Sequence, residues 1–223
     1  MSSCDGTKWS ALMSSKAWTT HLSETDGRDK ALRTVQYACK IARMHTDAGV
    51  VARFLQLESA LSLARQAFRL GKWVNIISKQ HKMTQDEGPL LEALAALADL
   101  GIFCFFILDN ITFCIRAGLV KGDRNRMMSR AAKCWVLSAT SSLSASCLRL
   151  YRVYTEKPQD ADRTRLLRKK KALLLSTIRF LCDDIIAISL SRTTPLSTGL
   201  VGACGVLSSL IQSYNLWPKR LIA

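Results

Sequence analysis

A chain of 223 residues with 11 glycines and 4 prolines has few breaks between elements, and 48% hydrophobic residues, crowded after Pro89, exclude a disordered polymer. Its 32 Lys and Arg outnumber 17 Asp and Glu, and the net charge of +15 calls for a polyanionic partner, nucleic acid or the anionic face of a membrane. Several helix-length apolar runs turn that choice toward the membrane and away from nucleic acid.

In chain order, residues 1–24 are Ser/Thr-rich without a clear period and read as a flexible tail. They hold no apolar run of secretory-signal length, so cytosolic synthesis is expected. Residues 25–88 form a basic amphipathic helical region. Thr25 or Asp26 can cap a first helix beginning at Gly27, with Leu32, Val35, Cys39 and Ala42 on one face and Arg28, Lys30, Arg33, Lys40 and Arg43 making it cationic.

A second helix is expected from about Val50 to Lys79, because Val50, Phe54, Leu57, Leu61, Ala64 and Phe68 recur at steps of four and three. From Leu63 a new stripe of Leu63, Ala67, Leu70, Val74 and Ile77 takes over, opposite Arg65, Arg69, Lys72 and Lys79. With Phe68 and Trp73 at the boundary, this half can lie in a lipid interface, cations toward headgroups and aliphatics toward acyl chains. The same pattern also fits a bundle helix with a solvated charged face, and periodicity alone leaves both open.

Gly88-Pro89 ends a linker, and residues 89–154 hold the first apolar helices. Leu90–Ala117 is nearly continuous apolar and exceeds the roughly 20 residues a spanning helix needs. Cys134–Tyr154 is a weaker, Ser-rich segment closed by Arg149, Tyr151, Arg152 and Tyr154. Basic loops are expected at Lys121–Lys133 and across 155–171, ending Arg168-Lys169-Lys170-Lys171. Both belong on the cytosolic side by the positive-inside bias, which favours a surface-lying helix between them and leaves the number of crossings open.

Residues 172–223 are expected to carry a C-terminal transmembrane helix pair and a short tail. Ala172–Leu190 is interrupted by Arg179 and Asp183-Asp184, whereas Pro195–Trp217 has no charge and is the favoured crossing. Gly199, Gly202 and Gly205 recur every three residues there, a spacing for close helix packing rather than a nucleotide fingerprint. Asp109, Arg116, Arg179 and Asp183 are intramembrane polar candidates. Each costs about 2.5–3.5 kcal/mol at a helix centre, so each should find a partner, Arg179 with Asp183 at i, i+4. A polar seam or pore lining is the functional alternative.

No catalytic constellation emerges. His21, His45 and His81 are isolated and no serine sits in a nucleophile elbow, so no enzyme is expected. Cys4, Cys39, Cys104, Cys114, Cys134, Cys147, Cys182 and Cys204 form no C-x-x-C pair and read as reduced apolar residues, with no metal or cofactor expected. The terminal Arg220-Leu221-Ile222-Ala223 is not the S-K-L address of peroxisomal matrix proteins.

Four ordered blocks carry a resemblance. They are Gly27-Arg28-Asp29-Lys30 with Arg33 and Gln36-Tyr37; Ala64 to Asn75; Phe106-Ile107-Leu108-Asp109 to Arg116-Ala117-Gly118-Leu119; and Ser208-Ser209-Leu210-Ile211 with Tyr214 and Pro218. Over Asp26–Pro218 the chain resembles the peroxisomal biogenesis factor 11 family, particularly its plant and green-algal type, departing at Gln66, where a basic residue is usual, and at Phe113, where Trp is common. The resemblance implies an all-α, multi-pass peroxisomal membrane protein that controls peroxisome number. Its implied action is to elongate the organelle by amphipathic-helix insertion before fission by a dynamin-related GTPase and its membrane adaptor. Anionic phospholipid and a second copy of the chain, through the glycine-rich helix, are the other implied partners, and a metabolite channel is the alternative proposed for the family.

Overall fold

The computed structural model describes residues 15–78, 87–155 and 163–217, and among them every regular element is a helix. α1 spans Ser15–Ser23, α2 Thr25–Ala42, α3 Ala48–Phe68, α4 Lys72–Ser78, α5 Pro89–Arg116, α6 Arg124–Thr155, α7 Arg163–Ser191 and α8 Thr198–Leu216. α5, α6 and α7 pack in sequence, α8 returns against α7, and α2 lies between α8 and α3.

Several boundaries differ from the sequence expectation, each for a local reason. The tail is helical from Ser15, because Ala17 and His21 of α1 bury against the fold, with His21 5.1 Å from the Trp217 ring. Glu24, not Thr25 or Asp26, stands at the cap position of α2. The expected continuous helix to Lys79 breaks after Phe68, where Gly71 takes a φ of +72° that a β-carbon disfavours, and Val74 N–H bonds its carbonyl to start α4. Lys79 lies outside the described residues.

Gly88, at φ +90°, turns the chain into α5, whose first residue is Pro89, the position where a missing N–H costs nothing. The loop expected over Lys121–Lys133 is shorter, since Asp123 Oδ1 accepts from Asn125 and Arg126 N–H (2.8 and 3.2 Å) and starts α6 at Arg124. Likewise Arg168–Lys171 is helical, within α7.

Among the described residues one helix, Pro89–Arg116, is long and apolar enough to cross a membrane. The segment favoured for crossing, within Pro195–Trp217, does not reach that mark. Lack of charge is not apolarity: α8 is 19 residues long and includes Ser208, Ser209, Gln212, Ser213, Tyr214 and Asn215.

The apolar core is small: Tyr37 of α2, Cys182 and Ile186 of α7, and Val201 and Cys204 of α8, with Trp135 and Ile178 against them. Close approach by glycine supplies much of the rest. A β-carbon on Gly101 of α5 would stand 2.7 Å from the Ser138 nitrogen and 2.8 Å from the Cys134 oxygen, so α5 and α6 meet backbone to backbone.

Candidate membrane face and its ion network

The α3–α4 elbow separates the two halves of the amphipathic pattern, but not in the expected direction. Leu63, Leu70, Val74 and Ile77 face outward, with Ile77 62% exposed. Phe68 is half-buried beneath the Arg28 guanidinium at 5.4 Å, and Trp73 meets Phe103 of α5 edge-on at 6.4 Å. The cations expected at headgroups point inward. Arg65 is buried, its Nε donating to Asp29 (3.1 Å) and a terminal nitrogen to Gln36 (2.7 Å). Arg69 reaches Asp109 of α5 at 3.0 Å, and Lys72 pairs with Asp26 of α2.

The reason lies on the neighbouring helices. Asp29 and Asp109 are fully buried, and an unpaired buried carboxylate is far costlier than a desolvated guanidinium that meets one. Burial pushes the Asp29 carboxyl up, yet Arg65, Lys30 and Arg69 together outweigh it and hold it well below the usual carboxylate range. Burial in turn brings Lys30 down to about 8, with Asp29 opposing that shift, and Arg65 down to about 10.

Gln66 explains its own departure from a basic residue. Its amide nitrogen donates to Asp109 (2.9 Å) while its oxygen accepts from Arg116 (2.6 Å), so one fully buried side chain serves an acid and a base that a cation could not serve together. Arg116 also donates to Ser62 (3.2 Å) and to the Ser59 carbonyl (3.1 Å), which ties the end of α5 to α3. Asp183 takes Arg33 of α2 at 2.6 Å and the Ser208 hydroxyl at 2.6 Å, rather than Arg179, its neighbour one turn away. Arg179 instead lies over the Phe180 ring at 4.0 Å.

The glycine triplet faces α2. A β-carbon on Gly202 would stand 2.6 Å from Ile41, one on Gly199 3.3 Å from Met44, and one on Gly205 would fall on the Tyr37 ring. These three positions are therefore occupied by packing within the chain.

Asp29, Arg33 and Asp26, which anchor this network, escape a reading by periodicity because their partners lie far along the chain. The available signal was a buried-helix acid, Asp29, amid the bases Arg28, Lys30 and Arg33.

Alongside its small apolar core the bundle buries many polar side chains and exposes many leucines. After Leu91 and Ile186, the largest fully buried side chains are Gln66, Thr112, Asp29, Asp109, Ser208 and Ser209, while Leu97, Leu100, Leu174, Leu181, Leu200, Leu207 and Leu210 are exposed. Small and polar residues inside with leucine outside is the pattern of helices solvated by lipid. Among the described residues no cluster of His, Cys, Asp and Glu could hold a metal ion.

The sequence model described as peroxisomal biogenesis factor 11 (PEX11) matches residues 15–217. The chain belongs to this family. Peroxisomal membrane protein 11E of Arabidopsis thaliana is 31% identical over 90% of each chain, and peroxisomal membrane protein 11D of the same plant 27% over 90% of each. Peroxisomal membrane protein 11A of Homo sapiens is 27% identical, covering 87% of this chain and 93% of its own. No solved structure is significantly similar. This PEX11 chain is thus a peroxisomal membrane protein of the biogenesis class, and its outward leucines and inward charges fit that setting.

Proposed function

We propose that the protein elongates peroxisomes and promotes their proliferation and fission by seating the outward face of the α3–α4 elbow in one leaflet. The observation that carries this reading is the pairing of exposed Leu63, Leu70, Val74 and Ile77 with cations locked inward behind them. Aliphatic side chains inserted at the acyl boundary expand that leaflet and favour curvature. Because Arg65, Arg69 and Lys72 are held by Asp29, Asp109 and Asp26, the elbow is fixed to the bundle as a rigid wedge. Attraction to anionic headgroups then falls to the outer cations, such as Arg124, Arg126 and the Arg168–Lys171 run.

On this reading the protein is multi-pass and has no catalytic role. It works beside a dynamin-related GTPase and its membrane adaptor, and it self-associates through surfaces other than Gly202 and Gly205. The metabolite-channel alternative draws less support from Asp109, Arg116 and Asp183, which are engaged by Gln66, Arg69 and Arg33.

Reconstitution tests the wedge. Full-length protein in anionic liposomes should draw tubules, and Leu70→Glu with Val74→Glu should abolish them without loss of membrane insertion. Undiminished tubulation by the double variant refutes the mechanism.

A further inference from the structure

Behind the elbow, α2, α3, α5, α6 and α7 enclose a cavity of about 370 Å³ that the wedge reading leaves unused. Six of its lining side chains are cationic against three carboxylates. Most of that charge is matched: Asp29 holds Arg65 and Lys30, Asp183 holds Arg33, Asp109 and Asp26, outside this lining, hold Arg69 and Lys72, and the third lining carboxylate, Asp99, is itself engaged. Arg179 is the exception, because the acid one turn along, Asp183, is already taken by Arg33 and Ser208.

The Nε atoms of Arg33, Arg69 and Arg179 are buried without a hydrogen-bond partner and are closed off from the cavity, so these residues line it through their other atoms. Arg33 as a whole is only 3% exposed. What favours an anion in the cavity is the excess of charge in its lining, six cations against Asp29, Asp99 and Asp183. The remaining wall combines the aromatic rings of Phe105, Phe106, Trp135 and Phe180 with small and polar side chains, among them Ser138, Ser142 and Gln212.

An adjoining cavity of about 480 Å³ shares Lys30, Lys72, Phe106, Arg179 and Gln212 with the first and runs out to the exposed Asn75, Asn215 and Leu216. Arg179 therefore stands where an inner chamber meets an opening to the surroundings.

We propose that this paired cavity is a binding site for a phosphate monoester carried on an apolar body, with Arg179 as its principal ligand and the aromatic wall receiving the apolar part. A planar guanidinium offers paired donors to two phosphate oxygens, and its position over Phe180 fixes the plane of that fork. The phosphate has two sources, the headgroup of a membrane lipid such as phosphatidic acid or a soluble phosphorylated compound. The site is independent of curvature generation and stands whether or not the wedge does.

The test uses purified full-length protein in neutral detergent, titrated with short-chain phosphatidic acid, with phosphatidylcholine of the same chain length, and with inorganic phosphate. Phosphatidic acid should bind saturably at one per chain. Arg179→Gln should weaken it about tenfold or more, the loss of one charge-assisted pair, whereas Arg179→Lys retains part of the affinity and Arg126→Gln, at an exposed cation away from the cavity, retains all of it. Inorganic phosphate saturating with the same dependence on Arg179 assigns the site to a soluble ligand, and phosphatidic acid alone doing so assigns it to lipid.

Non-saturable uptake, equal binding of phosphatidylcholine, or equal losses in Arg179→Gln and Arg126→Gln would overturn the proposal. Should Arg179→Gln fail to fold, the wild-type protein still decides. Phenylglyoxal labelling of Arg179, mapped by mass spectrometry, should be blocked by phosphatidic acid or phosphate and not by phosphatidylcholine, and labelling unchanged by all three contradicts the site.

Discussion

Whether Arg65 faces headgroups or the protein interior can be decided by what its removal costs. An exposed surface pair is worth about 0–1 kcal/mol, whereas removing one member of a buried pair costs about 3–5 kcal/mol by leaving the other charge stranded. Here the Asp29 side chain is 0% exposed and that of Arg65 9%, with 3.1 Å between them, so the larger figure applies. Asp29→Ala should therefore remove a large part of a total stability on the order of 5–15 kcal/mol. Arg65→Met should do likewise, while the double variant, having no stranded charge, should recover at least half of either loss. Lys30 also loses its acid in Asp29→Ala, so the recovery stays incomplete. The assay is equilibrium unfolding in mixed micelles followed by circular dichroism. Single-variant losses below about 1 kcal/mol that simply add would refute the inward placement of Arg65.

Three further outcomes are expected. Gly205→Ala places a methyl on the Tyr37 ring and should destabilise by about 1–3 kcal/mol, read in the same unfolding assay, because Tyr37 sits in the small apolar core. Asp29, whose folded carboxyl is held below its ordinary 3.8, should lend stability that is present above that value and lost as pH falls beneath it, so Asp29→Asn flattens the acid limb of the stability profile. Lys30 acts at the other end: with its folded value lowered to about 8 from 10.5, the unfolded chain holds more protons between them, and stability should rise with pH across that window, a rise absent in Lys30→Met.

How much of this was legible in the sequence depends on the range of the interaction concerned. The all-helical class and the apolar α5 follow from hydropathy and from the scarcity of Gly and Pro, which are local properties. The Gly71 break stood in the sequence, but the apolar stripe from Leu63 to Ile77 continues in sequence across the three-residue turn Arg69–Gly71, so periodicity masked it. That same period identifies two faces without saying which is inside. The direction of Arg65 and Arg69 depends on Asp29 and Asp109, which lie 36 and 40 residues away. The glycine spacing in α8 announced a close neighbour, yet naming α2 as that neighbour needed a contact between opposite ends of the chain. Arg179 and Asp183 illustrate the opposite error, in which a plausible local i, i+4 pair yields to a buried arginine on another helix.

The central claim is that the outward face of the α3–α4 elbow remodels the peroxisomal membrane. Its most direct measurement is peroxisome length in cells lacking the endogenous protein, imaged with a matrix marker while tagged full-length protein is restored. The wild-type chain should ring peroxisomes and elongate or multiply them, while Leu70→Glu with Val74→Glu should reach the same membrane and leave peroxisome shape unchanged. Elongation by the double variant equal to that of the wild type would contradict the account.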